Sequence, residues 1–367
     1  MKIILFANTF EYFVLRINFL KELKNSGYKI FLIGSSDKFK RDFDNMGIET
    51  VHLTINRKSK NPITEFYLLI KLFKILNQIK PNIILSFTIK PVIYCGILNR
   101  FLRIPIISTM TGVGPYFFKH DLFNFFMRKL FKFSQKNTTK IVLQNKDDLN
   151  FFIKNNLITN AQSIVIPGFG IDANYFSVST YPKNQNITFL LIARMLWNKG
   201  IGEYLEAARN IKKNKPHIDF QLLGTIDKEN AYCISQEQID SWVEEKLVKY
   251  LGHVDDVRPF ISKANCIVLP SYREGMPRVL LQACSMGRPI ITTNVPGCRD
   301  VVIHNENGFV CAPEDVNSLK TALNDFINLT FSEKEKMGLK ARSVIETKFE
   351  EKIIFQSFLD EIHSLTK

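Results

Sequence analysis

The sequence has no long uninterrupted apolar stretch: no run among its 367 residues approaches the roughly 18 uncharged apolar residues that a membrane span needs. The opening, MKIILFANTFE, has one lysine and only five consecutive apolar residues, fewer than the roughly 7 to 15 in a signal-peptide core. We therefore expect a first β-strand at residues 2–7 and a cytoplasmic protein that does not cross a bilayer.

Patterns for metal binding and disulfide bonding are absent as well. The six cysteines contain no C-x-x-C pair, and the six histidines show no H-x-x-x-H spacing. Internal repeats and low-complexity tracts are also missing. We therefore expect buried, reduced thiols, no metal site and no cofactor.

The second half of the chain lacks net charge. Residues 181–367 hold 24 lysines and arginines against 24 aspartates and glutamates, whereas residues 1–180 hold 25 against 11. The whole excess of +14 therefore lies in the first half, which predicts an anionic partner for that half. Nucleic acid, phospholipid head groups and a polyanionic small substrate all fit this charge.

Short apolar or β-branched runs alternate with amphipathic segments, which is typical of parallel sheets covered by helices on both faces. The predicted strands are residues 2–7, 28–34, 49–53, 82–87, 105–110 and 140–145, then 187–193, 219–224, 248–254, 266–270 and 289–293. A segment rich in Gly, Pro, Ser and Asn separates the two series. The sequence thus predicts an α/β protein with two facing, doubly wound Rossmann-like domains. We place them at 1–175 and 176–349, with a last helix at about 350–367 that could pack back on the first.

The stretch PSYREGMPRVLLQACSMGRPII (270–291) places a charged residue, Glu274, directly after a buried strand. Pro277 suits the first position of the following helix, and Gly287 with Pro289 predicts its end. Ligands of such sheets bind at the carboxyl ends of strands, where a helix start offers free amides to phosphate. We expect Glu274 to accept hydrogen bonds from sugar hydroxyls, or to steady a cationic centre while a bond to phosphate breaks. A helix cap would explain its position but not the Gly-Met-Pro beside it.

Two cations follow the predicted strand 187–193, in ARMLWNKG. Arg194 and Lys199 would meet Glu274 if the two loops open at the same edge of the sheet. Two cations can take up the charge of a departing diphosphate without a metal ion. Taken alone, the R-x4-K spacing fits a solvated pair near a helix start equally well.

Together these segments resemble glycosyltransferase family 4, retaining and metal-independent enzymes whose two Rossmann-like domains form the GT-B fold. The resemblance extends over IPGFGIDANYF (166–176), ARMLWNKG (193–200), YLGHVDDV (250–257), 269–302 and NGFVCAPED (307–315). Each segment alone is weak, and the set is specific. It implies a nucleotide-sugar donor bound on the second domain.

The resemblance also implies roles for individual residues. The family carries a Glu-x7-Glu signature, whose first glutamate reaches the transferred sugar and whose second holds the ribose hydroxyls. Glu274 matches the first position, and Gln282 stands at the second, so the ribose contact is expected through an amide. Arg194 and Lys199 match the diphosphate-binding pair. The loop that cradles the donor is matched by Gly275, Met276, Pro277 and Arg278.

In the first domain, residues 86–98 and 108–118 are similar to a subgroup that builds bacterial surface polysaccharides on undecaprenyl diphosphate. The histidine that many relatives carry here falls on Phe87, so no catalytic histidine is assigned. Candidates for the acceptor side are Arg16, Lys90, Thr111 and Gly112. Each of them fits a structural role equally well.

Residues 116–140 interleave aromatic side chains with lysine and arginine. This composition suits docking on the inner face of the cytoplasmic membrane, although a helix that buries its phenylalanines in the core would look similar. Asp42 and Asp44 spell the D-x-D of metal-dependent glycosyltransferases. They lie in a charged helical stretch and receive no role.

The resemblance therefore implies a retaining transfer of a hexose or N-acetylhexosamine from a nucleotide diphosphate sugar, with UDP favoured over GDP, to a lipid-linked saccharide. In the mechanism that the family implies, the acceptor hydroxyl attacks from the face of the leaving diphosphate, which can take its proton. One alternative is a nucleotide-sugar epimerase of the same fold. The other is a nucleic-acid-binding protein, which the charge alone suggests and the neutral second domain argues against.

Overall fold

The structure, a computed structural model, describes residues 1–35, 38–56, 61–114, 117–118, 121–183 and 186–366. The chain divides into two compact units. The first contains Met1–Phe169 together with the segment from Ile354 onward, and the second contains Gly170–Ile353. The chain therefore leaves the first unit, completes the second, and returns.

The first unit is built on a parallel sheet of seven strands in the order β3-β2-β1-β4-β5-β6-β7. Its elements are β1 (Lys2–Thr9), α1 (Glu11–Val14), α2 (Ile17–Asn25), β2 (Lys29–Ser35), α3 (Lys40–Asn45), β3 (Glu49–His52), α4 (Pro62–Ile79), β4 (Ile83–Phe87), α5 (Ile89–Leu102), β5 (Ile106–Met110), α6 (Leu122–Gln135), β6 (Lys140–Leu143), α7 (Lys146–Lys154) and β7 (Ser163–Val165). The central strands are apolar on both faces because helices cover both faces of the sheet. One buried cluster joins the sheet to α4, α5, α6 and α7, and another joins it to α1, α2 and α3.

The second unit is built on a parallel sheet of six strands in the order β10-β9-β8-β11-β12-β13. Its elements are β8 (Thr188–Ile192), a 3₁₀ turn (Trp197–Lys199), α8 (Ile201–Lys212), β9 (Asp219–Leu223), α9 (Gln236–Glu244), β10 (Lys249–Tyr250), α10 (Arg258–Lys263), β11 (Cys266–Leu269), α11 (Arg278–Ser285), β12 (Ile290–Thr293), β13 (Gly308–Cys311), α12 (Val316–Asn328), α13 (Phe331–Val344) and a π-helical turn (Ile345–Phe349). Two buried clusters again cover the two faces.

The last helix, α14 (Glu351–Thr366), carries the chain back to the first unit. Its apolar face packs on the cluster that contains α2. Phe358 stacks on Phe169 with the ring centroids 5.0 Å apart, and it also contacts Phe19 at 5.4 Å. A helix distant in sequence thus completes the core of the first unit.

The predicted class, two Rossmann-like domains with parallel sheets, is confirmed. The prediction differs from the structure at edge strands. The strand expected at 248–254 shrinks to two residues, and Gly252, with φ +70°, lies in the loop beyond it. Strands β7 and β13 were not predicted, because runs of three or four residues carry little periodic signal.

No helix in the described ranges is both long enough and apolar enough to span a bilayer.

Candidate functional site

Two loops of the second unit meet at the carboxyl edge of its sheet, one following β8 and the other following β11. The backbone N–H of Tyr272 donates to the carbonyl of Asn198 at 3.1 Å. Gly200 has φ +73°, and a Cβ there would overlap the carbonyl oxygen of Pro270. Only glycine permits this close approach, which brings the two loops into register.

The contact places Lys199 beside Glu274. Lys199 Nζ lies 2.5 Å from Glu274 Oε1, and the Ser271 hydroxyl donates to the same oxygen at 2.9 Å. The side chains of Lys199 and Glu274 are each 17% exposed. A cation and a carboxylate predicted from separate loops therefore form one partly buried pair.

A third loop, after β12, supports the backbone of Glu274. The Glu274 N–H donates to the carbonyl of Pro296 at 3.3 Å. Gly297 has φ +79°, and a Cβ there would lie 2.7 Å from the Glu274 carbonyl oxygen. Burial, reinforced by the nearby Glu274 carboxylate, raises the pKa of Cys298 to about 12. This thiol therefore stays protonated near neutral pH and is no nucleophile.

Arg194 lies in the same loop as Lys199 but has a different partner. Its Nη1 lies 2.8 Å from Asp227 Oδ2, in the loop after β9, and its side chain is 54% exposed. The structure therefore brings Lys199 to Glu274 and pairs Arg194 with another carboxylate. An exposed ion pair of this kind contributes little stability, so Arg194 is free to rearrange.

Helix α11 begins one residue later than predicted. Pro277 has φ −75° and ψ 104°, an extended conformation, so it is the N-cap and Arg278 is the first helical residue. The Leu280 N–H donates to the carbonyl of the N-cap Pro277 at 3.0 Å, and the first turn carries the positive partial charge of the helix start. Arg278 and Gln282 lie one turn apart on the half-buried side of α11, whereas Leu280 and Ala283 face the core.

Sequence reasoning missed the residues that hold the pair in place. Ser271 is fully buried and its hydroxyl reaches both Glu274 and, at 3.3 Å, the carbonyl of Asn198. The Tyr272 hydroxyl donates to Glu203 Oε1 at 2.7 Å and so ties the loop to α8. A hydroxyl three residues before a glutamate, as in S-x-x-E, was the available signal for Ser271.

In the first unit, Arg16 and Lys90 lie at the carboxyl edge of the sheet with different surroundings. The Arg16 guanidinium lies 3.6 Å from the Tyr12 ring centroid and 4.7 Å from that of Phe169. Burial lowers the pKa of Arg16. Lys90 Nζ is 2.6 Å from Glu65 Oε1, so its charge is balanced within the unit.

The other first-unit candidates follow strands β4 and β5. Thr111 is exposed, and Gly112 has φ +121°. Phe87, the position at which the resemblance predicted a histidine in many relatives, is 1% exposed and packs against Tyr12 and Phe169.

Among the described residues, the buried polar atoms near this edge that lack a hydrogen-bond partner include Asn8 Oδ1, near the end of β1, and Thr109 Oγ1, near the end of β5. Because buried polar atoms are nearly always paired, these two are candidate contacts for a ligand.

Among the described residues, no group of three or more His, Cys, Asp or Glu side chains could hold a metal ion. Asp42 and Asp44 lie on α3 as expected, exposed on either side of the buried Phe43.

Two protein-family models match the chain: "Glycosyl transferase 4-like" at residues 2–145 and "Glycosyl transferases group 1" at residues 175–344. The N,N'-diacetylbacillosaminyl-diphospho-undecaprenol alpha-1,3-N-acetylgalactosaminyltransferase of Campylobacter jejuni is 26% identical, over 94% of this chain and 93% of its own. The UDP-Gal:alpha-D-GlcNAc-diphosphoundecaprenol alpha-1,3-galactosyltransferase of Escherichia coli is 26% identical, over 70% of this chain and 68% of its own. Anabaena Alr3699/HepE in complex with UDP superposes with a TM-score of 0.80 at 19% identity, over 99% of this chain and 100% of its own.

The two parallel-sheet units and these matches define a glycosyltransferase of the GT-B fold. The two models together support the predicted resemblance to glycosyltransferase family 4, and the comparisons favour neither the epimerase nor the nucleic-acid alternative.

Proposed function

We propose that the enzyme transfers a hexose or N-acetylhexosamine from a UDP-sugar to a lipid-linked saccharide in bacterial surface polysaccharide synthesis, with retention of anomeric configuration. The names of both relatives specify undecaprenyl diphosphate-linked acceptors and α-1,3 products, and that of the Escherichia coli enzyme specifies a UDP donor. HepE, with the same fold, binds UDP.

The observation that carries the proposal is the pairing of Lys199 with Glu274 beside the start of α11. In the donor complex, Lys199 contacts the diphosphate and Glu274 contacts hydroxyls of the sugar. The two groups then sit on either side of the bond that breaks. Their close pairing supports these roles because one site must hold both the leaving group and the sugar.

Charge on the departing diphosphate is taken up by three elements: Lys199, Arg194 and the first amides of α11. Arg194, whose own side chain is exposed, reaches the diphosphate by leaving its partner Asp227. The acceptor hydroxyl oxygen bonds to the anomeric carbon as the bond from that carbon to the phosphate oxygen breaks. The hydroxyl proton passes to the departing phosphate oxygen, and no metal ion is required.

The rest of the donor is held by the loop Gly275–Arg278 and by α11. Gln282, on the half-buried side of the helix, contacts the ribose hydroxyls through its amide. The second unit is thus the donor-binding domain of the proposal.

The first unit is proposed to bind the acceptor. Arg16, held against Tyr12 and Phe169, is placed for an anionic group, and Asn8 and Thr109 offer unpaired polar atoms nearby in the sheet. Thr111 and Gly112 stay predictions. Because Lys90 is paired with Glu65, its proposed role is to hold the acceptor edge in shape rather than to contact the acceptor.

A lipid-linked acceptor brings the enzyme to the inner face of the cytoplasmic membrane, where the basic first unit would meet anionic lipid. Within the predicted docking segment 116–140, Tyr116, Lys119 and His120 lie outside the described residues. In the described part, Phe131 is buried whereas Phe125 and Phe126 are exposed. This division supports peripheral membrane association.

The proposal is tested by Glu274→Ala and Lys199→Ala, with Lys340→Ala as the control because Lys340 pairs with Glu306 on the surface of the same unit. The donor is first chosen by screening UDP- and GDP-sugars for an increase in melting temperature, since a bound ligand stabilises the fold. Transfer to an undecaprenyl diphosphate-linked saccharide should fall by at least about 10²-fold in both site variants. Near-normal transfer in either variant would refute the assignment, and an epimer formed without acceptor would indicate an isomerase.

A further inference from the structure

Helices α4, α5, α6 and α7 form one layer over the first sheet, and exposed apolar side chains are concentrated on α4 and α6. Helix α5 is buried between its neighbours except near its end, where Phe101 is 75% exposed. Gly96 of α5 lies so close to α6 that a Cβ would overlap the carbonyl oxygen of Ser134. The outer surface of this layer is therefore formed largely by α4 and α6.

Helix α4 is apolar on both sides. Leu68, Leu72 and Leu76 face the core. On the outer side, Ile63 is 79% exposed and Phe66 65% exposed. The exposed apolar side chains of α4 are Ile63, Phe66, Tyr67, Ile70 and Phe73. A helix that is apolar on both sides and still reaches the surface is typical of an interaction site.

Helix α6 repeats this arrangement. Phe131 is buried, whereas Leu122 is 73% exposed and Phe126 61% exposed. The exposed apolar side chains of α6 are Leu122, Phe123, Phe125, Phe126, Leu130 and Phe133. Two helices of one layer thus show a similar set of large apolar side chains.

Along α4, α5 and α6 the charge is strongly positive. Residues 61–136 hold 11 lysines and arginines against two acidic residues, Glu65 and Asp121. Glu65 is bonded to Lys90 and Tyr94, and Asp121 caps α6 by accepting from the Asn124 N–H at 2.8 Å. Neither carboxylate offsets the outward positive charge, so the surface is complementary to an anionic one.

The basic side chains lie among the aromatic ones. Lys71 Nζ is 4.7 Å from the Tyr67 ring centroid, and the Arg100 guanidinium is 4.1 Å from that of Phe133. Lys129, Lys132 and Lys136 line a cavity of about 490 Å³ beside α6, which could admit a phosphate head group. Aromatic rings interleaved with cations are suited to the boundary between head groups and acyl chains.

The most exposed apolar side chains and the lysines lie toward opposite ends of α4 and α6. In a β-α-β unit the helix runs opposite to the strands, so the first turns of α4 and α6 lie at the carboxyl edge of the sheet. The most exposed side chains, Ile63, Phe66, Leu122 and Phe126, belong to these first halves. The lysines of both helices lie in the second halves, toward the opposite edge.

We propose that α4 and α6 together form a membrane-docking face for an anionic bilayer. The first half of each helix, at the carboxyl edge of the sheet, enters the boundary between head groups and acyl chains. The lysines in the second half of each helix contact the head groups. The inference depends on the proposed membrane association and adds α4 and the direction of docking. It places the membrane beside the edge that is proposed to bind the lipid-linked acceptor.

The test measures sedimentation with vesicles of phosphatidylglycerol and phosphatidylethanolamine. The paired changes Ile63→Ser with Phe66→Ser, and Leu122→Ser with Phe126→Ser, should each weaken binding at least about tenfold. Leu339→Ser is the matched control, because Leu339 is 55% exposed on α13 of the second unit, and it should bind as the unchanged protein does. Pure phosphatidylcholine vesicles should bind weakly in all cases. Unchanged binding of the α4 pair would overturn the proposal.

The direction is tested with a fluorescent side chain. The fluorescence emission of the tryptophan introduced by Phe66→Trp should shift to shorter wavelength when vesicles are added. The emission of the tryptophan introduced by Phe101→Trp, at the end of α5, should not shift. Equal shifts at both positions would overturn the direction. A dimer that dissociates in the α4 pair, with vesicle binding unchanged, would assign the face to a second copy instead. UDP-induced stabilisation, measured on the same proteins, tests donor binding separately and should survive in every variant.

Discussion

At the scale of single residues, the second unit contrasts a fixed pair with side chains that have room to move. Glu274 is held by Lys199, by the Ser271 hydroxyl and by its own backbone bond to Pro296. Arg194, by contrast, is 54% exposed. The group proposed to contact the sugar is therefore preorganised, and one of the two cations proposed to meet the diphosphate has room to adjust to it.

Gln282 offers a residue-scale prediction, because a carboxylate accepts hydrogen bonds from both hydroxyls of a ribose and an amide oxygen accepts fewer. Gln282→Glu should lower the KM for the donor about threefold to tenfold, since hydrogen bonds to charged groups are about 1 kcal/mol stronger. The kcat should change less than about twofold, because the ribose is remote from the bond that breaks. Steady-state kinetics with varied donor separate the two constants. A fall in kcat with unchanged KM would remove Gln282 from the ribose site.

Sequence reasoning found side chains whose position follows from the end of a strand. Glu274 and Lys199 are of this kind, because both directly follow strands of one parallel sheet. Ser271 and the pairing of Lys90 with Glu65 were not predicted. Such contacts depend on how loops and helices pack, and Lys90 and Glu65 are 25 positions apart in the chain.

At the scale of elements, the first unit depends on a close contact between α5 and α6. Gly96 allows the backbone of α6 at Ser134 to lie directly against α5. The Gln135 side chain adds to this contact by donating to the carbonyl of Val92 at 3.1 Å. The outward position of the α6 aromatic side chains is thus set by a glycine on its neighbour.

Because this contact is close, one methyl group added at Gly96 should lower the stability of the protein markedly. Gly96→Ala should lower the free energy of unfolding by about 1–3 kcal/mol, because α6 must move away from α5. Gly202→Ala is the matched control: this helical glycine in α8 has only ordinary contact, 3.4 Å from Trp197. The control should change stability by less than about 1 kcal/mol, in the stabilising direction. Urea denaturation measures both, and equal effects would show that the contact is not tight.

Sequence reasoning predicted the elements that have a strong periodic pattern and missed the strands that are very short. Strand β1 carries six consecutive buried residues, whereas β7 has three residues, all half-buried. The outer apolar side of α4 also escaped notice. A helix that is apolar on both sides has a weak amphipathic pattern, so the sequence suggests a helix but not which sides are covered.

At the scale of the whole molecule, the two units have separate cores. Phe358 of α14 belongs to the core of the first unit, and Phe326 of α12 to that of the second. Both tryptophans of the chain, Trp197 and Trp242, lie in the second unit. Tryptophan fluorescence therefore reports on one unit alone.

Separate cores predict separate unfolding transitions. Phe358→Ala should destabilise the first unit by about 3–5 kcal/mol, because it leaves a cavity among Phe19, Phe169 and Phe355. Urea titration followed by far-ultraviolet circular dichroism should show this shift, while the tryptophan fluorescence transition stays in place. Phe326→Ala should instead move the tryptophan fluorescence transition and leave the transition of the first unit in place. If Phe358→Ala moves the fluorescence transition equally, the units unfold as one.

The order in which the units are completed follows from the return of α14. Although the first unit begins with the amino-terminal strand, its core lacks Phe358 and the rest of α14 until the second unit has been made. At about 5–20 residues per second, translation of the second unit takes roughly ten to forty seconds. During that time the nascent first unit presents Phe19 and Phe169 to solvent. The first unit to leave the ribosome is thus the last to mature, and it is the one that a holding chaperone would protect.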